Sequence, residues 1–201
     1  IVPSYNEQDY IEETILSVLN QDYAALELVI IDGASTDGTL EILRRYGKDP
    51  RVRWVSEPDA GGIEAQNKGL RLARGSLIGF QAANDVYLPG AIPEAVQEFA
   101  SDPLLALVGG WVQRIDVHGN STGELPQYPD HKWDYSLEEI LTFNRFTKYQ
   151  STFWRRDIIL AIGGYNEEVR IPGSFFWLHY MLEASTLGAR CRAVPRVWGG
   201  F

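Results

Sequence analysis

The fold is decided at residues 26–39, which read LELVIIDGASTDGT. Apart from Glu27, Leu26 to Ile31 is a continuous apolar run, as expected of a strand covered on both faces of a sheet. The run ends at Asp32, and a polar turn then leads into a helix predicted from Thr39 to about Tyr46. A buried strand, a short turn and a helix in this order favour an α/β fold with a parallel sheet.

The same alternation continues on both sides of this stretch. We predict strands at Ile1-Val2, Val52–Val55 and Leu77–Phe80, and helices at about 11–19, 63–74 and 89–100. The short links imply right-handed crossovers and a doubly wound, mostly parallel sheet with helices on both faces. Such sheets bind ligands at the carboxyl ends of their strands. The candidate positions are therefore Pro3 to Glu7, Asp32, Ser56 to Asp59, and Asn84-Asp85.

Residues 101–201 are patterned less regularly. The predicted strands are Leu105–Ile115, Ser151–Trp154 and Cys191–Val194. The predicted helices are Leu137–Thr142, Asp157–Ile162 and Phe175–Leu187. A turn is predicted at 116–120 and a loop at 123–133. We find no linker or internal repeat, and expect one domain over residues 1–201. Because the chain begins without Met in what looks like a strand, we interpret it as a fragment of a longer protein.

Composition limits the function classes. The net charge of −9 argues against a nucleic-acid-binding protein, which needs clustered Lys and Arg to neutralise phosphates. The single cysteine, Cys191, excludes an internal disulfide and is compatible with a reducing compartment. No apolar run approaches the ~18 residues of a membrane span, and no signal peptide is visible.

Two carboxylates follow strands of the predicted sheet. Asp32, with Gly33 allowing close approach, can accept the ring N–H of a pyrimidine base. Asp85 suits a divalent cation that bridges a diphosphate. Each has a structural alternative, because Asp residues also cap turns and helices. If both bind one nucleotide diphosphate, both side chains must face the same cleft.

Six segments, taken in order, resemble the family-2 inverting glycosyltransferases. They are PSYNE at 3–7, IDGASTDGT at 31–39, SEPD at 56–59 with AQNKG at 65–69, NDVYLPGA at 84–91, QSTFWRR at 150–156 and GGYNE at 163–167. Each segment is weak alone, but the ordered set covers essentially the whole chain. The resemblance implies the GT-A fold, with a nucleotide-binding half at 1–100 and an acceptor-side half at 101–201.

By this resemblance, the protein transfers a sugar from a nucleoside-diphosphate donor, typically uridine-based, to a glycan or lipid-linked acceptor with inversion. The resemblance implies a role in cell-envelope polysaccharide synthesis. It also implies a location in the cytoplasm or at the inner face of a membrane, with which the protein would associate through its acceptor or through further segments. The implied cofactor is Mn²⁺ or Mg²⁺, held by Asp85. The implied nucleotide-binding residues are Pro3, Tyr5, Glu7, Asp32 at the base, Asn67, and Asn84 near the ribose.

The sequence departs from the family at two places. Asn84 replaces the first acid of the metal motif, so Asp85 is the only carboxylate there. The acidic general base is also missing, because alignment on Trp177-Leu178 places no carboxylate at 172–175. Glu167 and Glu168 lie close in sequence, and we take Glu168 as the candidate base, with a solvated charge pair as the alternative. Asp116 and His118 are further candidates that a hairpin tip explains better.

Five of the six tryptophans lie in the second half, where they either stack on sugar rings or pack in the core. Two functions therefore stay open. One is an active transferase, and the other is a catalytically degenerate module that holds nucleotide or glycan without turnover. A dinucleotide-dependent dehydrogenase is disfavoured, because no Gly-x-Gly-x-x-Gly follows the first strand.

Overall fold

The structure is a computed structural model that describes residues 1–116, 120–123, 132–134, 149–168, 180–181 and 183–201. The first half contains β1 (Val2–Ser4), α1 (Ile11–Leu19), β2 (Leu28–Asp32), α2 (Thr39–Tyr46), β3 (Val52–Ser56), α3 (Gly62–Leu72), β4 (Leu77–Gly79), β5 (Val86–Tyr87) and α4 (Ala91–Ser101). The second half contains β6 (Leu105–Gln113), β7 (Trp133–Asp134), a 3-10 turn (Tyr149–Ser151), β8 (Thr152–Arg155), α5 (Arg156–Ala161) and β9 (Arg190–Gly200). In these ranges no helix is both long and apolar enough to cross a bilayer.

The strands form a parallel sheet and a mixed sheet that meet at Ile1. In the parallel sheet, β2 lies between β1 and β3, with Ile30 opposite both Val2 and Trp54. The mixed sheet has the order β4-β8-β6-β9-β5, and β7 also pairs with β9. The Ile1 amino group donates to the Gly79 carbonyl at 2.8 Å, and the Gln81 N–H donates to the Ile1 carbonyl at 3.0 Å. These bonds place β4 beside the start of β1, so the carboxyl ends of β1 to β4 lie at one edge.

Strand β2 is buried on both faces, as its apolar run predicts. Leu28 and Ile30 pack in a core with α1, while Val29 and Ile31 pack against Ala65 of α3 on the opposite face. Side chains alternate between the faces of a strand, so each face needs its own cover of helices. The predicted α/β fold is therefore confirmed, with helices on both faces of the sheet.

The second half is more mixed than the sequence predicts. Strand β6 pairs with β8 in antiparallel and with β9 in parallel orientation, and β9 runs on to Gly200, past the predicted end at Val194. Trp111, Trp154 and Trp198 are all buried, so core packing is their role. The predicted helix at 137–142, His118, and the aligned segment at 172–178 lie outside the described residues.

One close contact in this half can be tested by substitution. A Cβ on Gly110 would lie 2.7 Å from two ring carbons of Trp198 and 2.8 Å from the Arg196 carbonyl oxygen. We expect Gly110→Ala to lower the free energy of unfolding by about 1–3 kcal/mol, because neither a buried indole nor backbone yields easily. Urea denaturation measures this. Gly62→Ala is the matched control: a Cβ there meets nothing within 4 Å, and alanine favours a helix, so equal losses for the two variants would contradict the packing argument.

Candidate functional site

The buried carboxylate of Asp32 joins the ends of two neighbouring strands. It accepts hydrogen bonds from the Ser35 N–H at 2.9 Å, the Ser35 hydroxyl at 2.5 Å and the Ser56 hydroxyl at 2.7 Å, and it is 0% exposed. Three donors offset the cost of removing this group from water. The expectation that Asp32 faces an open cleft together with Asp85 is therefore not met. Direct contact between Asp32 and a base stays a prediction.

The loop after β1 is fastened to the loop after β2. The Asn6 N–H donates to the Ser35 hydroxyl at 2.8 Å, and the Glu7 N–H donates to the Thr39 hydroxyl at 2.9 Å. Asn6 has a φ of 56°, a left-handed conformation that Asn tolerates better than most residues. This backbone presents the Tyr5 side chain to solvent, 60% exposed, and leaves the Glu7 side chain half-buried at the edge of the sheet.

Asp85 is the second buried carboxylate of the site. It is 5% exposed and accepts hydrogen bonds from the Gln150 side chain and the Ala82 N–H. Burial, the largest cause, and the negative charge of Glu7 together raise its pKa from 3.8 to about 6, although the hydrogen bonds from Gln150 and Ala82 act in the opposite direction. The structure thus brings Glu7 and Asp85 close enough to interact. The Thr14 hydroxyl, 2.8 Å from the Asp85 carbonyl oxygen, ties this turn to α1.

The other residues predicted at this edge lie on either side of that pair. Pro3 lies on β1 opposite Ile31 of β2, and Asn84 is exposed next to Asp85. Their positions are compatible with a ligand lying along the edge of the sheet. Contact with such a ligand stays a prediction for both.

A divalent cation fits this site only if it shares ligands with a bound anion. Within the described ranges, no group of three or more His, Cys, Asp or Glu side chains is arranged to hold a metal ion. Burial and the charge of Glu7, however, both disfavour the ionised form of Asp85. A nearby cation would stabilise that form and so counteract both effects. Mg²⁺ is commonly held by one or two carboxylates, waters and substrate phosphates. The donor set therefore suits a cation that Asp85 would hold with the help of a bound diphosphate.

Asp59 is a candidate site residue whose position near Gly33 the sequence did not reveal. A Cβ on Gly33 would lie 3.2 Å from one carboxylate oxygen of Asp59 and 3.3 Å from the other. The carboxylate is therefore positioned over the end of β2, where its Oδ1 accepts the Gly61 N–H at 2.9 Å and its side chain is partly exposed. Placement after β3 indicated Asp59 as a candidate, but its approach to Gly33 depends on the tertiary fold.

Asn67 serves the fold in this structure. Its side-chain amide donates to the Tyr165 carbonyl and to Glu167, both at 2.8 Å, and its oxygen accepts the Tyr165 N–H at 2.9 Å. These bonds hold the loop after α5 against α3 and use the polar groups of a side chain that is 6% exposed. A contact between Asn67 and a nucleotide stays a prediction.

Neither alternative acid is part of the pair formed by Glu7 and Asp85. The Glu168 side chain is exposed, and its backbone N–H donates to the Asn166 side-chain oxygen at 2.9 Å. Its assignment as general base stays a prediction. Asp116 accepts the Asn120 N–H at 2.9 Å next to the antiparallel bridge between Ile115 and Ser121, as the hairpin interpretation predicts.

Comparison with known proteins identifies relatives of this chain. The sequence model described as glycosyl transferase family 2 matches residues 1–163. Chondroitin synthase of Escherichia coli is 32% identical over 169 residues, which is 84% of this chain and 24% of that protein. The glycosyltransferase TuaG of Bacillus subtilis, named as a putative enzyme of teichuronic acid biosynthesis, is 45% identical over 87 residues, 42% of this chain and 34% of that protein. The chain thus spans about a third or less of these relatives.

Solved structures share the fold. TarS of S. aureus in complex with UDP-GlcNAc superimposes with a TM-score of 0.78 at 19% identity, covering 100% of this chain and 56% of that one. The mannosyltransferase PcManGT of Pyrobaculum calidifontis in complex with GDP-Man and Mn²⁺ gives a TM-score of 0.71 at 23% identity, covering 100% of this chain and 55% of that one.

The titration of Asp85 makes stability depend on pH. The folded state holds the Asp85 proton up to about pH 6, whereas a carboxyl with the ordinary pKa of 3.8 releases it earlier. The folded state therefore binds more protons between these values, and the contribution of Asp85 to the free energy of unfolding falls as pH rises through this window. Asp85→Asn cannot ionise. In metal-free buffer we expect it to gain roughly 2–3 kcal/mol relative to the unaltered chain between pH 4 and pH 7, measured by urea denaturation. Parallel pH profiles of the two proteins would contradict this assignment.

Proposed function

The chain belongs to glycosyl transferase family 2, and we propose that it transfers a sugar from a nucleoside-diphosphate donor, with inversion, to a glycan or lipid-linked acceptor. The observation that carries the proposal is the buried carboxylate of Asp85 beside Glu7, at the edge where β1 to β4 end. This is the edge at which an open α/β sheet binds its ligands. The relatives named for polysaccharide synthesis support the reaction class.

We propose that the nucleotide lies along the loops after β1, β2 and β3. The exposed ring of Tyr5 offers a stacking surface, and Asp59 offers a carboxylate that can accept a ring N–H of uracil. In this arrangement the buried Asp32 carboxylate supports the site indirectly, because its hydrogen bonds hold Ser35 and Ser56 in place. The complex of TarS with UDP-GlcNAc supports a UDP-sugar donor. Because PcManGT was solved with GDP-Man, the binding experiment must compare UDP with GDP.

Asp85 is the residue proposed to hold Mn²⁺ or Mg²⁺ together with the donor diphosphate. A cation held there would offset the negative charge that develops on the departing nucleoside diphosphate. Gln150 and the Ala82 N–H orient the carboxylate through their hydrogen bonds, and its burial keeps competing water away. The Mn²⁺ in the PcManGT complex supports a divalent cation in this fold.

Inversion requires the acceptor hydroxyl to attack the anomeric carbon from the face opposite the leaving diphosphate. A base must receive the hydroxyl proton, and Glu168 is the candidate that we propose for this role. It is exposed on the loop that Asn67 and Glu167 tie to α3. The acceptor is proposed to be a growing polysaccharide or a lipid-linked glycan, met in the cytoplasm or at the inner face of a membrane. A single, buried Cys191 thiol is compatible with that reducing compartment.

Donor binding tests the proposal directly. We expect UDP to bind in titration calorimetry, more tightly with Mn²⁺ than without, because the cation links Asp85 to the diphosphate. Asp85→Ala should bind UDP with the weaker affinity in both conditions. The matched control is Asp102→Asn, a carboxylate that pairs with Arg190 and Arg192 away from this edge, and it should keep the Mn²⁺ effect. An undiminished Mn²⁺ effect in Asp85→Ala would remove Asp85 from the metal site, and tighter binding of GDP than UDP would overturn the uridine assignment.

Turnover distinguishes a transferase from a binding module. Incubation with a panel of UDP-sugars should show slow release of UDP, and Glu168→Gln should reduce the rate by about 10² to 10⁴ if Glu168 is the base. Glu167→Gln removes the neighbouring charge and is the control. Binding of UDP-sugars without any release of UDP, even with candidate acceptors, would favour the module. Equal rates for both Glu variants would exclude Glu168 as the base.

A further inference from the structure

Lys68 of α3 has a position that the reaction itself does not explain. We propose that Lys68, together with Glu64, is a positioning residue that fixes the Asp59 loop, residues 57–61, in the conformation that recognises the nucleobase. The inference rests on the proposed binding of a uridine nucleotide at this edge. The inference adds one requirement to that proposed function: selectivity for the base depends on a residue that does not contact the base.

The contacts of Lys68 reach Glu64 on its own helix and the part of the loop that precedes Asp59. Its Nζ lies 3.0 Å from Glu57, 3.0 Å from Glu64 and 3.4 Å from the Pro58 carbonyl oxygen. The side chain is only 17% exposed, so a long flexible group is held in one orientation. The two ion pairs and the carbonyl contact tie the first half of the Asp59 loop to α3.

Glu64 ties the second half of the loop to the same helix. One of its oxygens accepts the Ala60 N–H at 2.7 Å, while the other pairs with Lys68. The loop is also closed by the bond from the Gly61 N–H to Asp59, and the Glu57 N–H donates to the Asp32 carbonyl at 3.0 Å. Asp59 is thus held between anchored residues on both sides, with its carboxylate over Gly33.

The carboxylates around the Asp59 loop make the positive charge of Lys68 important. Glu57, Asp59 and Glu64 place three carboxylates in or against one short loop, and Lys68 forms ion pairs with two of them. Without Lys68, repulsion among these groups would favour an open loop. An opened loop would move Asp59 away from the end of β2, where it is placed to accept a proton of the base.

The experiment compares UDP with 3-methyl-UDP, whose base has a methyl group in place of the ring N–H that a carboxylate can accept. We expect the unaltered chain to prefer UDP, and Lys68→Gln to bind UDP about five- to tenfold more weakly while losing most of that preference. Because Asp85 is untouched, the factor by which Mn²⁺ tightens binding should not change. Lys68→Arg keeps the positive charge and should restore most of the preference. Lys48→Gln is the matched control, an exposed lysine between α2 and β3 at the opposite edge of the sheet.

Several outcomes would overturn the inference. One is an unchanged preference in Lys68→Gln; another is an equal loss for UDP and 3-methyl-UDP, which would mean that Lys68 merely attracts phosphate. If Lys68→Gln does not fold, Glu64→Gln gives the same readout, since it weakens both the Ala60 and the Lys68 contacts; an unchanged preference there would also overturn the inference. Failure of the unaltered chain to bind UDP at all would instead reject the proposed function.

Discussion

The organisation of the site depends on one buried charge, the Asp32 carboxylate at the end of the central strand. It binds Ser35 twice and Ser56 once, and the Ser35 hydroxyl also receives the Asn6 N–H. The loops that follow three adjacent strands therefore share a single hydrogen-bonded hub. A buried carboxylate is tolerated only while its donors are in place, so this hub couples the loop conformations to the stability of the sheet. This edge of the sheet is therefore continuous with the core.

Local sequence was sufficient for most of the first half of the fold. The apolar run of β2, the amphipathic pattern of α1 and the polar turn before α2 each follow from short-range periodicity, and the structure places these elements where they were predicted. The two-residue strand β5 was missed because it has no period to detect. Strand β9 was predicted too short, because Pro195 and Gly199 interrupt its apolar pattern while its pairing with β6 continues past them.

The site shows the same division between local and tertiary information. Motif order indicated Glu7 and Asp85, and in the structure the negative charge of Glu7 acts on the Asp85 carboxylate. Motif order did not show that the Asp32 carboxylate would be hydrogen-bonded within the protein, since one of its partners, Ser56, is distant in sequence. Nor did it show that Asn67 would bind the loop at 165–167, about a hundred residues away. Both outcomes depend on which side chains meet across the fold, and no pattern within one segment encodes that.

Helix α3 meets three separate demands with one set of successive turns. Ala65 faces the sheet, Glu64 and Lys68 face the loop that carries Asp59, and Asn67 faces the loop after α5. Each residue of an α-helix is rotated by about 100° from the one before it. Deleting a single residue early in α3 would turn all of these side chains away from their partners at once. Homologous chains should therefore keep the number of residues between the two ends of this helix.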